Sequence, residues 1–384
     1  MPEPHSLKSG WKRVRFGDVV RQIKDRERDV ENCDLTEYVR GEHFEPGSLR
    51  LIGRSTLGDG LHGSAFHMRF RKGDVLYVSR NPHLRKVAIA DFDGICANTT
   101  YVCRADNENL LHELLPFIMQ TEDFVEYTIS HKRGSTNFYL NWSDIAPYEF
   151  ALPPLAEQRR IARLLQIAEK SLNSLVKADQ KAHRLWRALS LKEFGIGKSS
   201  SGKKLSKHYT IASGQVDPTE DHYSRLPLIA PNHIESGTGK LLELETAQAQ
   251  NAISGKYHFK AGAVLYTKIR PNLVKAVIAP CEGLCSADMY PLFPEPSVRR
   301  EYLLEILLSD RFTQFAVSWS MRTGMPKLNR KHLSRYRCRV PSLAKQDQYL
   351  ESSLAIHTAR EALAARLEAA SRLKRSIMQE VLEL

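Results

Sequence analysis

The sequence predicts a mixed α/β (α+β) protein: two pseudo-repeated, strand-rich domains separated by a long antiparallel helix pair, a coiled coil. Three observations predict it. Residues 70–101, FRKGDVLYVSRNPHLRKVAIADFDGICANTTY, realign without a gap on 259–290, FKAGAVLYTKIRPNLVKAVIAPCEGLCSADMY, at a constant offset of 189 and with 13 identities in 32 positions. The repeat extends on both sides, since His43-x-Glu45-x-Gly47 answers His233-x-Glu235-x-Gly237 and LNWSDIAPYEFALPPLAEQ at 140–158 answers LNRKHLSRYRCRVPSLAKQ at 328–346. After each copy comes one long, heptad-patterned segment without proline. A pseudo-twofold is therefore built into a single polypeptide. The 384 residues divide into a first domain at 1–152, a spacer helix at 153–197, a second domain at 198–340 and a second spacer helix at 341–384. Domains of about 150 residues are long enough to bury their own cores.

Within each copy, FRKGDVLYVS and FKAGAVLYTK set a glycine turn before an apolar run rich in Val, Leu and Tyr, which reads as a strand. VAIADFDGICA and its answer AVIAPCEGLCS are each expected to form a hairpin, closed by Asp93-Gly94 or Glu282-Gly283.

Between these strands lies a polar, basic connection: Ser79-Arg80-Asn81-Pro82-His83-Leu84-Arg85-Lys86 in the first copy, Lys268-Ile269-Arg270-Pro271-Asn272-Leu273-Val274-Lys275 in the second. Prolines and leucines match while most polar residues differ, so scaffold positions agree and presented positions diverge. Arg reads guanine O6 and N7 with two donors, Asn reads adenine N6 and N7 with a donor and an acceptor, and Lys neutralises phosphate. The candidate DNA-binding residues here are Arg80, Asn81, His83, Arg85 and Lys86, and then Lys268, Arg270, Asn272 and Lys275. A second loop adds Lys132, Arg133, Ser135, Thr136 and Asn137, answered by Arg322, Lys327, Asn329, Arg330 and Lys331; Phe138 and Tyr139 are candidates to stack on sugar or base. The bland reading of both loops is a solvated surface.

The chain changes period after Pro153-Pro154. Ile161, Leu165, Ala168, Leu172, Leu175, Asp179, Ala182, Trp186 and Leu189 alternate spacings of four and three, a coiled-coil seam with one polar interruption at Asp179. The second segment repeats the design with Ile356, Ala359, Leu363, Leu367, Ala370, Leu373, Ile377, Val381 and Leu384, flanked by Arg366, Glu368, Arg372 and Lys374. Neither seam is satisfied alone, so the helices are expected to pair, with Ile161, Leu165, Leu172, Leu175, Trp186 and Leu189 facing Leu363, Leu367, Ile377 and Val381. About 38 helical residues would span roughly 57 Å.

Composition narrows the function classes. An excess of 56 Lys+Arg over 44 Asp+Glu, formally +12, creates a field that draws in polyanions. Nucleic acid is the first partner to consider, and double-stranded DNA is the one whose groove the loop inventory suits. No run of about 18 apolar residues occurs and the N-terminus lacks an apolar signal core, so a soluble cytoplasmic protein with no membrane partner is expected. Cys33, Cys96, Cys103, Cys281, Cys285 and Cys338 form no Cys-x-x-Cys pair and read as reduced, mostly buried thiols rather than metal ligands. Gly58-Asp59-Gly60-Leu61-His62-Gly63 follows no buried strand and opens no helix, so it is a turn rather than a dinucleotide loop. Gly195-Ile196-Gly197-Lys198-Ser199 lacks the first glycine of a phosphate loop, because position 192 is Lys192. No catalytic residue, metal site or cofactor is expected in this chain.

Two diverged domains, each closed by a helix start of one type, Pro153-Pro154-Leu155-Ala156-Glu157-Gln158 and Pro341-Ser342-Leu343-Ala344-Lys345-Gln346, resemble the specificity subunit of type I restriction-modification enzymes. The likeness covers the whole chain and includes the Glu-Gln-Arg-Arg-Ile-Ala run at 157–162. At the second helix start Lys345 replaces Glu157, and Asp347-Gln348-Tyr349 replaces Arg159-Arg160-Ile161. The resemblance implies a DNA reader without chemistry of its own, in which each domain binds one half of a bipartite, asymmetric site and the helix pair fixes the spacer. It implies two methyltransferase subunits that use S-adenosylmethionine on adenine, and restriction subunits, ATP-driven and magnesium-dependent motor-nucleases. Two other readings stay open: the specificity polypeptide of a related system with fused methylase and nuclease, and a duplicated protein-interaction adaptor.

Overall fold

A computed structural model of the protein describes residues 7–195, 202–320 and 326–382. The chain forms two compact units, residues 1–176 with 365–384, and residues 177–364. This partition differs from the four consecutive segments expected from the sequence, because it cuts each long helix near its middle. The first half of the 155–194 helix gives Ile161 and Leu165 to one core, and its second half gives Trp186 and Leu189 to the other.

In the first unit the order is β1 (Lys12–Arg15), α1 (Phe16–Val19), β2 (Val20–Ile23), β3 (Glu37–Val39), β4 (Ser55–Thr56), β5 (Phe66–Phe70), β6 (Val75–Val78), β7 (Val87–Ile89), β8 (Gly94–Ala97), β9 (Thr100–Ala105), α2 (Leu115–Ile118), α3 (Glu122–Ser130), α4 (Trp142–Ile145), β10 (Glu149–Leu152) and the long helix α5 (Leu155–Phe194). The sheets run β2-β9-β6-β7, β4-β3-β8-β5 and β1-β10. The VLYV run of β6 is apolar on both faces for a reason. Val75 and Tyr77 face the core shared with the helices, while Leu76 and Val78 face a second core built with Val39, Phe70 and Cys96. A strand covered on both sides loses the alternation of a half-exposed one.

The second unit repeats this plan: β11 (Lys203–Lys204), β12 (Tyr209–Ile211), α6 (Asp221–Ser224), β13 (Leu228–Ile229), β14 (Tyr257–Phe259), β15 (Val264–Thr267), β16 (Ala276–Ile278), β17 (Gly283–Cys285), β18 (Met289–Pro294), α7 (Arg300–Leu308), α8 (Asp310–Ser320), α9 (Arg330–Leu333), β19 (Arg337–Cys338) and α10 (Leu343–Leu382). Its sheets run β12-β18-β15-β16, β13-β17-β14 and β11-β19, counterparts of the three in the first unit. Cys96 and Cys285 are fully buried at matching places, and burial pushes both thiols above their ordinary range.

The expected hairpins at 87–97 and 276–286 do not form. β7 pairs with β6, whereas β8 pairs with β5 and, in parallel, with β3 in a different sheet; β16 and β17 part in the same way. The two glycines that suggest turns answer a packing need instead. A Cβ on Gly94 would stand 2.7 Å from the Phe70 ring and 2.8 Å from the Glu37 carbonyl, and one on Gly283 would stand 2.7 Å from the Pro227 carbonyl. Both mark close approach of strands.

The glutamine of each helix start locks the helix to its domain. Gln158 Nε2 donates to the carbonyls of Asn109 (2.7 Å) and Pro153 (2.9 Å) while its Oε1 accepts from the Leu111 N–H (2.9 Å). Gln346 makes the same three bonds, to Ser297 (3.0 Å), Pro341 (2.8 Å) and the Arg299 N–H (2.8 Å). Both amides are buried.

Within the second unit the contacts along the helices run in opposite sequence order, Asp179 with Arg360, Trp186 with His357 and Phe194 with Tyr349, so α5 and α10 are antiparallel there, and in the first unit Glu169 pairs with Lys374. The stripe assigned to α10 needs two corrections, and its last member, Leu384, lies outside the described residues. Ala359 is exposed while the neighbouring Arg360 is half-buried on Asp179. Leu373 is 60% exposed and Lys374 takes the inward position, because the seam there is closed by an ion pair and not by a leucine. Among the described residues no helix is long and apolar enough to cross a membrane.

Candidate nucleic-acid interface

The two loops singled out in each copy lie side by side. In the first unit the Asn81 N–H donates to the Phe138 carbonyl (2.9 Å), the Leu140 N–H donates to the Ser79 carbonyl (3.1 Å), and Arg80 pairs with Tyr139 in an antiparallel bridge. In the second, the Arg270 N–H donates to the Pro326 carbonyl (2.9 Å), the Leu328 N–H donates to the Lys268 carbonyl (2.8 Å), and Ile269 faces Lys327. What the sequence offers as separate candidates is one surface per unit.

Both copies give the first loop the same backbone. Buried Pro82 or Pro271 opens a tight helical turn flanked by left-handed residues: Asn81 at φ 51° and Arg85 at 50°, Arg270 at 46° and Val274 at 49°. Asn tolerates this region, whereas a β-branched valine there is a strained outlier. The repeated His-x-Glu-x-Gly braces the turn. His43 Nδ1 accepts from the Arg40 N–H (3.1 Å) and the Gly47 N–H reaches the Arg85 carbonyl (3.3 Å); His233 accepts from Ala230 (3.2 Å) and Gly237 reaches Val274 (2.9 Å). Lys86 Nζ donates to the Gly41 carbonyl (2.6 Å) and Lys275 Nζ to the Pro231 carbonyl (2.7 Å). These two lysines, candidates for binding DNA, thus hold the brace, in keeping with their being identical in both copies.

Other candidates divide between presented and engaged groups. Arg80, His83, Ser135, Thr136 and Asn137 are exposed, and Arg80 lies 5.9 Å from the ring centre of the exposed Tyr139. Lys132 sits over Phe138 at 4.3 Å. Arg85 is ion-paired with Glu122 of α3. Arg133 forks onto Asp144 at 2.8 and 2.6 Å, and that guanidinium holds the Asp144 carboxyl below its ordinary range. In the second unit Arg270, Asn272, Lys327 and Lys331 are exposed, whereas Asn329 caps α9 by accepting from the His332 N–H (2.8 Å). Arg322 lies outside the described residues.

The second unit concentrates cations. Lys268, only 7% exposed, lies 5.1 Å from the centre of the Tyr290 ring, and Arg330 shares that ring at 5.6 Å while donating to the Ala212 carbonyl (2.7 Å). Burial pulls the Lys268 ammonium below its ordinary range, and the positive charges of Lys327 and Arg330 act in the same direction. In the first unit the positions of Lys268, Lys327 and Arg330 hold Ser79, Tyr139 and Trp142. At these three positions one surface carries charge and the other a hydroxyl and aromatic rings. Cations, amides and hydroxyls on a braced backbone suit phosphate neutralisation and base-edge hydrogen bonding.

Along the helices, Ile161, Leu165 and Trp186 are buried, Leu189, Ile377 and Val381 are partly buried on the domain cores, and Leu172, Leu175, Leu363 and Leu367 are half-buried. Glu305 of α7, buried and missed by sequence reasoning, accepts from Trp186 Nε1 (3.2 Å), Tyr349 Oη (2.9 Å) and Ser353 Oγ (2.7 Å), with His357 Nε2 at 3.1 Å. Its only signal is a glutamate in the middle of the apolar run Tyr302–Leu308. Among the described residues Glu27, Cys33 and Asp34 come close enough to share a metal ion, yet both carboxylates are ion-paired with Arg69.

Residues 8–182 match the model of the type I restriction modification DNA specificity domain. The type I restriction enzyme EcoDI specificity subunit of Escherichia coli is 32% identical over 254 residues, 56% of this chain and 56% of that protein, so the match spans about half the length of the curated relative. Among solved structures, a chain of a type I R-M system aligns over 98% of this chain and 99% of its own at TM-score 0.58 and 19% identity. The S subunit of a type I restriction-modification system from M. genitalium aligns over 98% of both chains at TM-score 0.59 and 13% identity. These two likenesses concern the fold.

Proposed function

We propose that the whole chain is the DNA-reading specificity subunit of a type I restriction-modification assembly, a reading supported by the match of residues 8–182 to the type I restriction modification DNA specificity domain. One observation carries this reading: each unit builds the same braced pair of loops on the same strands, and the two copies present different side chains from it. A duplicated scaffold with diverged donors is what reading two different half-sites requires, so the DNA target is bipartite and asymmetric. The chain supplies no chemistry. Two adenine methyltransferase subunits bring S-adenosylmethionine, and ATP- and magnesium-dependent restriction subunits bring the motor and nuclease. Helices α5 and α10, unbroken over 40 residues each, set the length of the unread spacer.

A specificity polypeptide serving a fused methylase-nuclease would read DNA in the same way, and the neighbouring genes distinguish it. A protein-interaction adaptor would leave the divergent basic surfaces without a role. Methylome sequencing of a host with and without this gene tests the reading. The expected result is one bipartite, non-palindromic methylated motif that disappears on deletion; an unaltered methylome would sink the proposal.

A further inference from the structure

We propose that Asn81 and Arg270 occupy one and the same base-reading slot in the two units, and that this slot reads adenine in one half-site and guanine in the other. The inference rests on the DNA-reading function proposed above and names the residue that discriminates.

The slot is defined by backbone. Asn81 and Arg270 precede a buried proline, adopt φ of 51° and 46°, and anchor their N–H groups on the neighbouring loop at 2.9 Å in both units. Their Cβ atoms therefore leave equivalent frames in equivalent directions. Glycine is the residue that adopts this conformation without strain, yet neither copy uses it. Arginine in particular holds a strained conformation there, and strain is retained where a side chain is needed. The other left-handed residue of the turn serves the scaffold, since Arg85 pairs with Glu122 and Val274 packs on the domain core. By contrast, Arg270 is exposed and Asn81 half-exposed, and among the described residues neither side chain makes a hydrogen bond or ion pair within the protein.

The two side chains differ in what they can recognise. A carboxamide offers one donor and one acceptor and matches N6 and N7 of adenine, whereas a guanidinium offers two donors and matches O6 and N7 of guanine. The same backbone slot thus carries opposite preferences at one donor position.

The test is an exchange in the native host, with the chromosomal codon altered and the methylome sequenced. Asn81→Arg is expected to turn one adenine of one half-site into guanine, with a preference of about ten- to hundredfold, and to leave the other half-site intact. Arg270→Asn is expected to do the converse in the other half. Asn81→Gly guards against misfolding, because glycine relaxes the turn while removing the reader; it should blur a single base and spare all others. A wild-type host with a bipartite motif that all three variants reproduce base for base overturns the slot and leaves the DNA-reading function standing. A wild-type host whose methylome does not depend on this chain overturns both.

Discussion

Lys374 and Glu169 form a 2.7 Å ion pair whose side chains are only 8% and 13% exposed, and the ammonium lies 5.6 Å from the centre of the Phe117 ring. The positions 188 residues away from Lys374, Glu169 and Phe117 are Trp186, His357 and Glu305. In the second unit Glu305 accepts a bond from Trp186 and lies 3.1 Å from His357. Ring, charge and helix partner are permuted among the same three places. Removing one member of such a closed pair leaves a charge without compensation, which costs about 3–5 kcal/mol, whereas replacing both by apolar residues is close to neutral. Lys374→Met is therefore expected to lower the stability of the chain by about 3 kcal/mol, and Lys374→Met with Glu169→Leu to recover most of the loss. Denaturant melts of the three proteins measure this, and a double variant as weak as the single one would refute the pairing.

The Glu305 node predicts a dependence on pH. Burial alone would raise the Glu305 carboxyl, but the bonds from His357, Ser353 and Tyr349 outweigh it and hold the group below its ordinary range. Since the folded value is the lower one, the stabilisation is present above the unfolded value of about 4.3 and is lost as pH falls through the folded value. Glu305→Gln should cost about 2–3 kcal/mol at neutral pH, with the difference from wild type shrinking below about pH 4. Unfolding measured at both pH values checks this; an equal difference at each would place the stabilisation elsewhere.

Much of this is legible in the sequence. A gap-free repeat can be seen without structure, and so can proline-bounded heptads, which is why the duplicated strands and the helices α5 and α10 are readable. The hairpins are not, because glycine before an apolar run signals a turn and a close strand approach alike, and only the Cβ clash at Gly94 tells them apart. A heptad frame puts Lys374 on the flank of the seam because it assigns inward positions by hydrophobicity, and a buried ion pair violates that rule. Likewise, charge alone groups Lys86 and Lys275 with the DNA-binding residues and gives no sign that they also brace the turn through the Gly41 and Pro231 carbonyls. The joining of the two loops is invisible, since backbone bonds such as Asn81 to Phe138 leave no trace in side-chain chemistry.

The unequal charge of the two surfaces should appear in salt dependence. Removing one cation that neutralises a phosphate lowers the slope of log affinity against log salt by about one. Lys327→Ala with Lys331→Ala is expected to reduce the slope by up to about two, while Tyr139→Ala, at the position matching Lys327, weakens binding without altering the slope. Titrations of the DNA-binding assembly with duplex at several salt concentrations give both numbers. Equal slopes for all three proteins would mean that Lys327 and Lys331 do not face phosphate.

Helix length offers the last test. The compact units divide after Val176 in α5 and after Ala364 in α10, so a heptad inserted near Val176, with a second near Leu367, lengthens each helix by roughly 10 Å while leaving the buried glutamines Gln158 and Gln346 in place. DNA rises about 3.4 Å per base pair. If helix length sets the spacer, the methylated motif should keep both half-sites and widen its gap by up to about three base pairs. The added rotation between half-sites has to be absorbed by twisting of the DNA, so weaker methylation is expected together with the wider gap. A lengthened chain that still directs methylation to the original spacing would show that the gap is set by something other than the helices.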